Sequence, residues 1–192
     1  MRRAPKSDAP QIAFTWSDFG ALRTNYVFAF TQGTNTLAKF SPSELGMNTM
    51  VYVFDYLAGT GQLVDPSDVI QEQISGDALY LVLAPVGPSG IAIVGDTDQF
   101  VTMGKKRVTG FTDDGAARVA VTFADGETSL VITGYSPVAP AVLAGDGSAI
   151  GQVTYDQSTH LFRVPVIAGT SPGASIRILP PLLRKPRQRG IQ

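Results

Sequence analysis

Hydrophobic and polar residues alternate along most of this chain with the period of two that is typical of β-strands. Residues 24–31, TNYVFAFT, place Tyr26, Phe28 and Phe30 on one face of such a strand. Residues 50–56, MVYVFDY, likewise place three aromatic rings on one face. Eight more short runs, rich in Val, Ile and Phe, are ALYLVLAPV, GIAIVG, ARVAVTFA, TSLVITGY, AVLAG, IGQVTYD, HLFRVPV and SIRIL. Turn residues separate these runs, so the pattern predicts many short strands.

The turns and the scarce helical signals support the same interpretation. Asp-Gly pairs occur within residues 112–117, 124–127 and 145–148, and this pair readily adopts the positive φ of tight hairpin turns. One helical turn is expected in residues 41–47, SPSELGM, where a serine precedes a proline at the first helical position. Residues 65–74 carry a second capping signal but also alternate as a strand. No segment keeps helical spacing over three turns.

We therefore predict an all-β fold, an antiparallel β-sandwich of short strands with at most one or two helical turns. A closed barrel is the alternative, because the sequence does not reveal whether the sheet edges meet. One sandwich domain is expected over residues 11–181, between a flexible basic tail at residues 1–10 and a basic tail at residues 182–192. Pro180 and Pro181 are expected to stop the last strand.

Composition and charge narrow the classes of partner. The chain has 192 residues, no cysteine and a formal net charge of −1. Seven cations and one acid lie in the two tails, so the body between them has eight cations, 15 acids and a net charge of −7. An acidic body repels nucleic-acid phosphates, and we expect no nucleic-acid partner. The tails are expected to be solvated, with contact to an anionic partner as the alternative.

No targeting signal in the sequence is convincing, so we expect a soluble protein. Residues 1–14 begin with basic residues but continue with prolines and polar residues, where a signal peptide needs an apolar stretch. No apolar run approaches the roughly 20 residues that span a bilayer, so no membrane contact is expected. Because cysteine is absent, the sequence leaves the compartment open. The oligomeric state is open as well.

Catalytic and metal-binding motifs are missing. The only histidine, His160, opens a predicted strand, and we expect a structural or neutral role for it. A single histidine cannot supply a histidine cluster for zinc, and a hydrolase would need it to meet a serine and a carboxylate in space. Nucleotide-binding, zinc-protease, EF-hand and nucleophile-elbow motifs are absent. The prediction is therefore no catalytic residue, no metal and no cofactor.

The segment that follows GIAIVG carries the densest charge. Asp96 and Asp98 lie on one strand face if the strand continues. They are interpreted first as turn caps, with calcium ligands or an acid and base pair as alternatives. Calcium takes about six or more oxygens, and only two acids occur here. Lys105 and Arg107, in GKKR, are expected in a solvated turn. Contact with an anion or a sulfated sugar is their functional alternative.

Aromatic residues are concentrated in the first third of the chain. Most of those in the two aromatic strands are expected to face the core, where each buries about 150–250 Å². Trp16 lies in the polar segment TWSDFGALRT and is less committed to the core. An exposed ring there is able to stack on the apolar face of a sugar. Trp16, Asp96, Asp98, Lys105 and Arg107 are thus the candidate ligand-binding residues.

The order of these segments resembles a known type of module. SPSELGM precedes MVYVFDYLAGTGQLV, and then come LYLVLAPVGPSGIAIVGDTDQFVTMGKKRV, an Asp-Gly hairpin and GQVTYDQSTHLFRVPVIAG. Over residues 35–180 this order resembles the C-terminal β-sandwich module of glycoside hydrolases similar to α-galactosidases and raffinose synthases. The resemblance implies that catalysis belongs to carboxylates of a separate (β/α)₈ barrel, which typically takes about 250 residues. No catalytic residue carries over to this chain.

The expected function is that of a non-catalytic β-sandwich module associated with carbohydrate-active enzymes, which supports a catalytic domain or binds a glycan. Its expected partners are a carbohydrate ligand or a catalytic barrel domain. One alternative is a structural or assembly subunit. The other is a small glycosidase that uses Asp96 and Asp98, since two carboxylates suit that chemistry when they lie about 5–9 Å apart across a cleft.

Overall fold

The computed structural model describes residues 8–31, 33–76, 78–145 and 147–180, and within them it confirms the predicted all-β fold. Every strand pairing is antiparallel. Among these described residues, the one helical element is a 3₁₀ helix at Pro42–Leu45. The strands are β1 (Gln11–Phe19), β2 (Leu22–Phe30), β3 (Leu37–Phe40), β4 (Val51–Asp55), β5 (Thr60–Val64), β6 (Ile70–Gln73), β7 (Leu79–Pro85), β8 (Ala92–Asp96), β9 (Val108–Asp113), β10 (Ala117–Thr122), β11 (Ser129–Tyr135), β12 (Ala141–Ala144), β13 (Ala149–Ile150), β14 (Thr154–Asp156), β15 (Leu161–Ile167) and β16 (Gly173–Leu179).

The central sheet has five strands in the order β1-β2-β7-β4-β5. Both of its faces are buried along the three inner strands, where alternate residues of β2 and β7 belong to two different core clusters. Tyr26 and Tyr80 contribute to one cluster, and Val27 and Leu81 contribute to the other. The predicted aromatic face is therefore a core face, although Phe30 at the end of β2 is exposed.

A small layer covers the valine-rich face of the central sheet. It consists of the β3-β6 pair and the 3₁₀ helix, which begins after Ser41 as the SPSELGM segment predicts. The backbone N–H of Ser41 donates to the Glu44 carboxylate at 2.7 Å, and Gly46 ends the helix with φ +79°. That left-handed conformation is one that glycine adopts without strain. Residues 65–74, where helix and strand were both open, contain β6 instead of a second helix.

The second half of the chain packs on the aromatic face. It forms one sheet in the order β12-β16-β10-β9 and another in the order β13-β15-β11-β8, with β14 also paired to β15. One core cluster joins Tyr26 and Tyr80 from the first half with Ile132, Phe162 and Ile176 from the second. The sheets are linear runs of strands, so the architecture is sandwich-like.

Hydrogen bonds also tie the layers together. The Tyr26 hydroxyl on β2 accepts a bond from the backbone N–H of Met103 at 3.0 Å and lies 3.1 Å from the Ser17 hydroxyl. At the start of the described chain, Asp8 accepts bonds from the N–H and the hydroxyl of Thr34 at 2.8 and 3.1 Å. The rest of the two predicted tails, residues 1–7 and 182–192, lies outside the described residues.

Candidate ligand-binding surface

A β-bulge at the end of β8 turns Asp96 toward the core. The pairing of β8 with β11 shifts by one residue between Thr133 and Gly134, which leaves Val94 as an extra residue on β8. Such an insertion reverses the alternation of side chains beyond it. Asp96 consequently lies opposite the buried Ile132, and only 1% of its surface is exposed.

Asp96 forms a buried ion pair with Arg107. The Nε atom of Arg107 lies 2.9 Å from Oδ2 of Asp96, and its Nη1 atom pairs with Glu127 and donates to the Thr122 carbonyl at 3.3 Å. Burial raises the pKa of Asp96 despite the attraction of Arg107, and the neighbouring charges of Asp98 and Glu127 act in the same direction. The Arg107 side chain is 15% exposed. This network holds β8 to the following loop and leaves Asp96 no access to a ligand.

The two aspartates do not form a carboxylate pair on one strand face, because β8 ends at Asp96. The backbone N–H of Asp98 donates to Oδ1 of Asp96 at 3.1 Å, which is a turn-capping contact. Asp98 itself is exposed to solvent. Lys105 is exposed, and its Nζ atom lies 5.9 Å from the centre of the Phe19 ring. Lys105 is therefore solvated as expected, whereas Arg107 is mostly buried.

His160 takes part in a local hydrogen-bond network. Its Nδ1 atom lies 2.8 Å from the Tyr155 hydroxyl, which in turn donates to the Ser136 carbonyl at 3.1 Å. The backbone N–H of Ser136 donates to the carbonyl of His160 at 3.0 Å. His160 has φ +58°, a left-handed conformation that non-glycine residues seldom adopt. These contacts give His160 a structural role in the turn before β15.

Trp16 is the centre of an exposed surface on the edge strand β1. Trp16 and Phe14 are 48% and 45% exposed, and their ring centres lie 6.1 Å apart. The guanidinium carbon of Arg23 lies 5.0 Å from the centre of the Trp16 ring, a cation–π contact. Asp18 accepts bonds from Nε1 of Trp16 at 3.0 Å and from Nε of Arg23 at 2.7 Å. We call these four residues the Trp16 surface.

The register of the β1–β2 hairpin explains why this surface is exposed. Phe14 lies opposite Val27, which is fully buried beneath the β3-β6 layer, so that layer stops short of the edge strand. Arg23 lies opposite Asp18 across a two-residue turn that starts with Gly20, φ +66°. The hydrogen bond from Arg23 lowers the pKa of Asp18, so this carboxylate stays ionised at neutral pH.

The sequence singled out Trp16 but missed Asp18, Arg23 and Phe14. The alternation of β1 was available as a signal, since a period of two places residues 14, 16 and 18 on one face. The strand at residues 24–31 was predicted, but its pairing with β1 was not, and Arg23 reaches the indole only because the two-residue turn sets this register. Gly20 and Ala21 form this hairpin turn, and a glycine at the first turn position is the sequence signal that points to it.

A second aromatic surface lies on the opposite face of the central sheet. Phe28 stacks on Tyr80 with ring centres 4.3 Å apart, Tyr56 lies 4.9 Å from Tyr80, and Phe100 lies 5.4 Å from Tyr56. The Tyr80 hydroxyl donates to the Phe100 carbonyl. Phe100 ends the series and is 65% exposed. We call these four residues the aromatic ladder.

Potential metal ligands, membrane-spanning helices and similarity to known proteins add no assignment to these surfaces. No group of three or more potential metal ligands occurs among the residues that the structure describes. The same residues contain no helix long and apolar enough to cross a bilayer. No known family model matches the chain, and no curated protein matches it significantly. The function is therefore inferred from the geometry of these surfaces.

Proposed function

We propose that this chain is a non-catalytic β-sandwich module that binds a glycan at the Trp16 surface and works beside a catalytic domain of the glycoside hydrolase type. The observation that carries the proposal is the exposed indole of Trp16 with Asp18 and Arg23 bonded around it. A sugar ring presents apolar C–H groups on its faces and hydroxyls on its rim. The surface offers a matching aromatic plane and charged hydrogen-bonding groups.

The Trp16 surface is also held in place before any ligand arrives. Asp18 bonds both neighbours, which restrains the rotamers of Trp16 and Arg23. A preformed arrangement reduces the entropy lost on binding. Phe14 extends the flat apolar area along β1. These features favour a binding role over a catalytic one.

The carboxylates favour the same conclusion. A glycosidase needs two carboxyl groups that face one cleft. Asp96 is buried against Arg107, and Asp98 lies in the exposed turn beyond the strand end. The proposal therefore assigns bond cleavage to a separate domain, in line with the resemblance of residues 35–180 to a module that follows a catalytic barrel.

Substitution of the central ring tests glycan binding directly. Trp16 is the only tryptophan in the chain, so intrinsic tryptophan fluorescence reports on this surface alone. Titration with neutral galactose, glucose and mannose oligosaccharides is expected to change that emission for one sugar class. For the same sugar, calorimetry is expected to show at least about a tenfold loss of affinity in Trp16→Ala, or about 1.4 kcal/mol.

Phe100→Ala is the matched control, because it removes an exposed ring from the aromatic ladder and leaves the Trp16 surface intact. Its affinity for the sugar is expected to equal that of the wild type. If the wild-type protein binds no sugar on a glycan array, the proposal is contradicted. Unchanged affinity in Trp16→Ala contradicts the assignment to this surface.

The aromatic ladder favours a second candidate function, that of an assembly subunit. Phe100 is exposed and continues a stacked series, and aromatic residues are enriched at the centres of interfaces. If this function applies, size-exclusion chromatography with light scattering detects an oligomer, and Phe100→Ser shifts the mass to that of a monomer. A monomeric wild type at all concentrations tested rules this candidate out.

A further inference from the structure

We infer that the outer face of the β12-β16-β10-β9 sheet is a second binding site, and that it takes a saccharide bearing carboxylate or sulfate groups. This site goes beyond the proposed function, because it lies on a different sheet from the Trp16 surface. The choice of a saccharide rests on the proposed function. The requirement for an anion rests on the sheet itself.

Two arginines face each other on this sheet. Arg118 on β10 lies directly opposite Arg177 on β16, and both side chains alternate with buried neighbours, so they point outward. Residues directly opposite each other have Cβ atoms about 4.5–5.5 Å apart, and like charges in that position repel. A bound anion between the two guanidinium groups relieves this repulsion. Guanidinium groups also match carboxylate and sulfate oxygens with paired N–H donors.

The charge near the arginines is only partly balanced. Asp114 lies 2.5 Å from Nη1 of Arg118, and that bond lowers the pKa of Asp114. Arg177 also lowers the pKa of Asp114 but forms no salt bridge within the part of the chain that the structure describes. Two cations therefore face one acid, while the body of the chain as a whole is acidic. This local reversal of sign is what selects an anionic ligand.

A groove lies on the sheet face beside the arginines. The next row across the four strands consists of small residues, Gly110, Ala120, Ser175 and Gly145. Between this row and the arginines is a groove of about 550 Å³, within the range of ligand sites. With strands about 4.8 Å apart, the row extends about 14 Å from β9 to β12. That length suits a chain of sugars better than a single small anion.

Binding measurements with matched oligosaccharides test the inference. The probes are oligogalacturonate for carboxylates, an oligosaccharide sulfate ester for sulfates, and a neutral oligosaccharide of equal length. The wild type is expected to bind at least one acidic probe and to lose affinity as salt screens the charges. Arg177→Ala is expected to reduce that affinity at least tenfold, and Arg118→Ala is expected to reduce it less because Asp114 already engages Arg118.

Two further variants test whether binding depends on the shape of the groove and on arginines at this site rather than elsewhere. Gly110→Val fills the floor of the groove, and a Cβ atom there meets only the Ala120 Cβ at 3.5 Å, so the fold is expected to persist. Its affinity for the acidic probe is expected to fall at least tenfold with an unchanged circular dichroism spectrum. Arg163→Ala removes an exposed arginine from β15, on a different sheet, and is expected to leave affinity unchanged.

The outcomes distinguish this inference from the proposed function. Acidic-probe binding that is lost in Arg177→Ala but kept in Trp16→Ala supports the second site. The absence of acidic-probe binding, or its persistence in Arg177→Ala, overturns the second site and leaves the Trp16 proposal standing on its neutral-sugar test. Equal binding of polyglutamate overturns the assignment to a saccharide.

Discussion

Arg107→Ala is expected to lower the free energy of unfolding by about 3–5 kcal/mol, the usual cost of removing one partner from a buried ion pair. Asp96 keeps its burial in this variant but loses the guanidinium at 2.9 Å. Glu127 and the Thr122 carbonyl lose the same partner. Urea unfolding at pH 7.5, followed by circular dichroism, measures the loss.

The deficit of Arg107→Ala is expected to shrink as the pH falls. Burial already raises the folded pKa of Asp96, with Asp98 and Glu127 adding to the effect, and the loss of Arg107 raises it further. A group with a raised folded pKa contributes full stability below its unfolded pKa and loses that contribution as the pH rises through the folded pKa. The variant therefore recovers stability relative to the wild type near pH 4.

Asp96→Asn is the control for this prediction. The amide oxygen still accepts the N–H of Asp98, whereas the amide NH2 group replaces Oδ2 and loses the bond to Nε of Arg107. Arg107 keeps Glu127 as its partner. No charge remains buried without a counter-ion, so we expect less than half of the loss seen in Arg107→Ala. Equal losses in the two variants at pH 7.5, or a deficit of Arg107→Ala that does not change with pH, contradict this account of the network.

Gly95→Ala is expected to lower the free energy of unfolding by about 3–4 kcal/mol, because the bulge depends on this glycine. Gly95 has φ +105°, where an L side chain is strained by about 1–3 kcal/mol. A Cβ atom there lies 2.3 Å from the Thr102 carbonyl oxygen, which must move. That oxygen accepts the backbone N–H of Asp96 at 2.9 Å, so the displacement also weakens the turn that positions Asp96.

Gly90→Ala measures the cost of backbone strain without a steric clash, for comparison with Gly95→Ala. Gly90 has φ +77°, and a Cβ atom there meets nothing within 4 Å. We expect a loss of about 1–2 kcal/mol, which is the cost of the left-handed conformation for an alanine. Thermal unfolding of both variants by calorimetry measures the difference. If both lose the same stability, the contact with Thr102 does not matter and the proposed dependence on the bulge is wrong.

Most of the fold class could be predicted because its signals are local. The alternation in residues 24–31 and 50–56 belongs to β2 and β4, and the SPSELGM segment forms the 3₁₀ helix. The predicted core role of Tyr26 and Tyr52 is confirmed by their burial. These features depend on neighbours within a few residues, which the sequence displays directly.

The candidate sites depended on residues that are distant in the chain. Arg107 appeared to belong to a solvated turn, but its partner Glu127 lies on the far side of two strands, 20 positions further on. Asp96 faces the core because one bulge shifts the register with β11. A single inserted residue reverses the faces of a strand, and its position follows from pairing that a single sequence does not specify.

The amino-acid sequence by itself determined the secondary structure class. It favoured a turn-capping role for Asp96 over the alternatives and marked Trp16 as the aromatic residue least committed to the core. Only the tertiary structure decided that the Arg23 guanidinium contacts the exposed indole and that Arg107 is buried. It also brought Arg118 and Arg177 together from positions 59 residues apart. The physical reason is that alternation fixes which side of a strand a residue occupies, whereas long-range register and layer packing decide what that side meets.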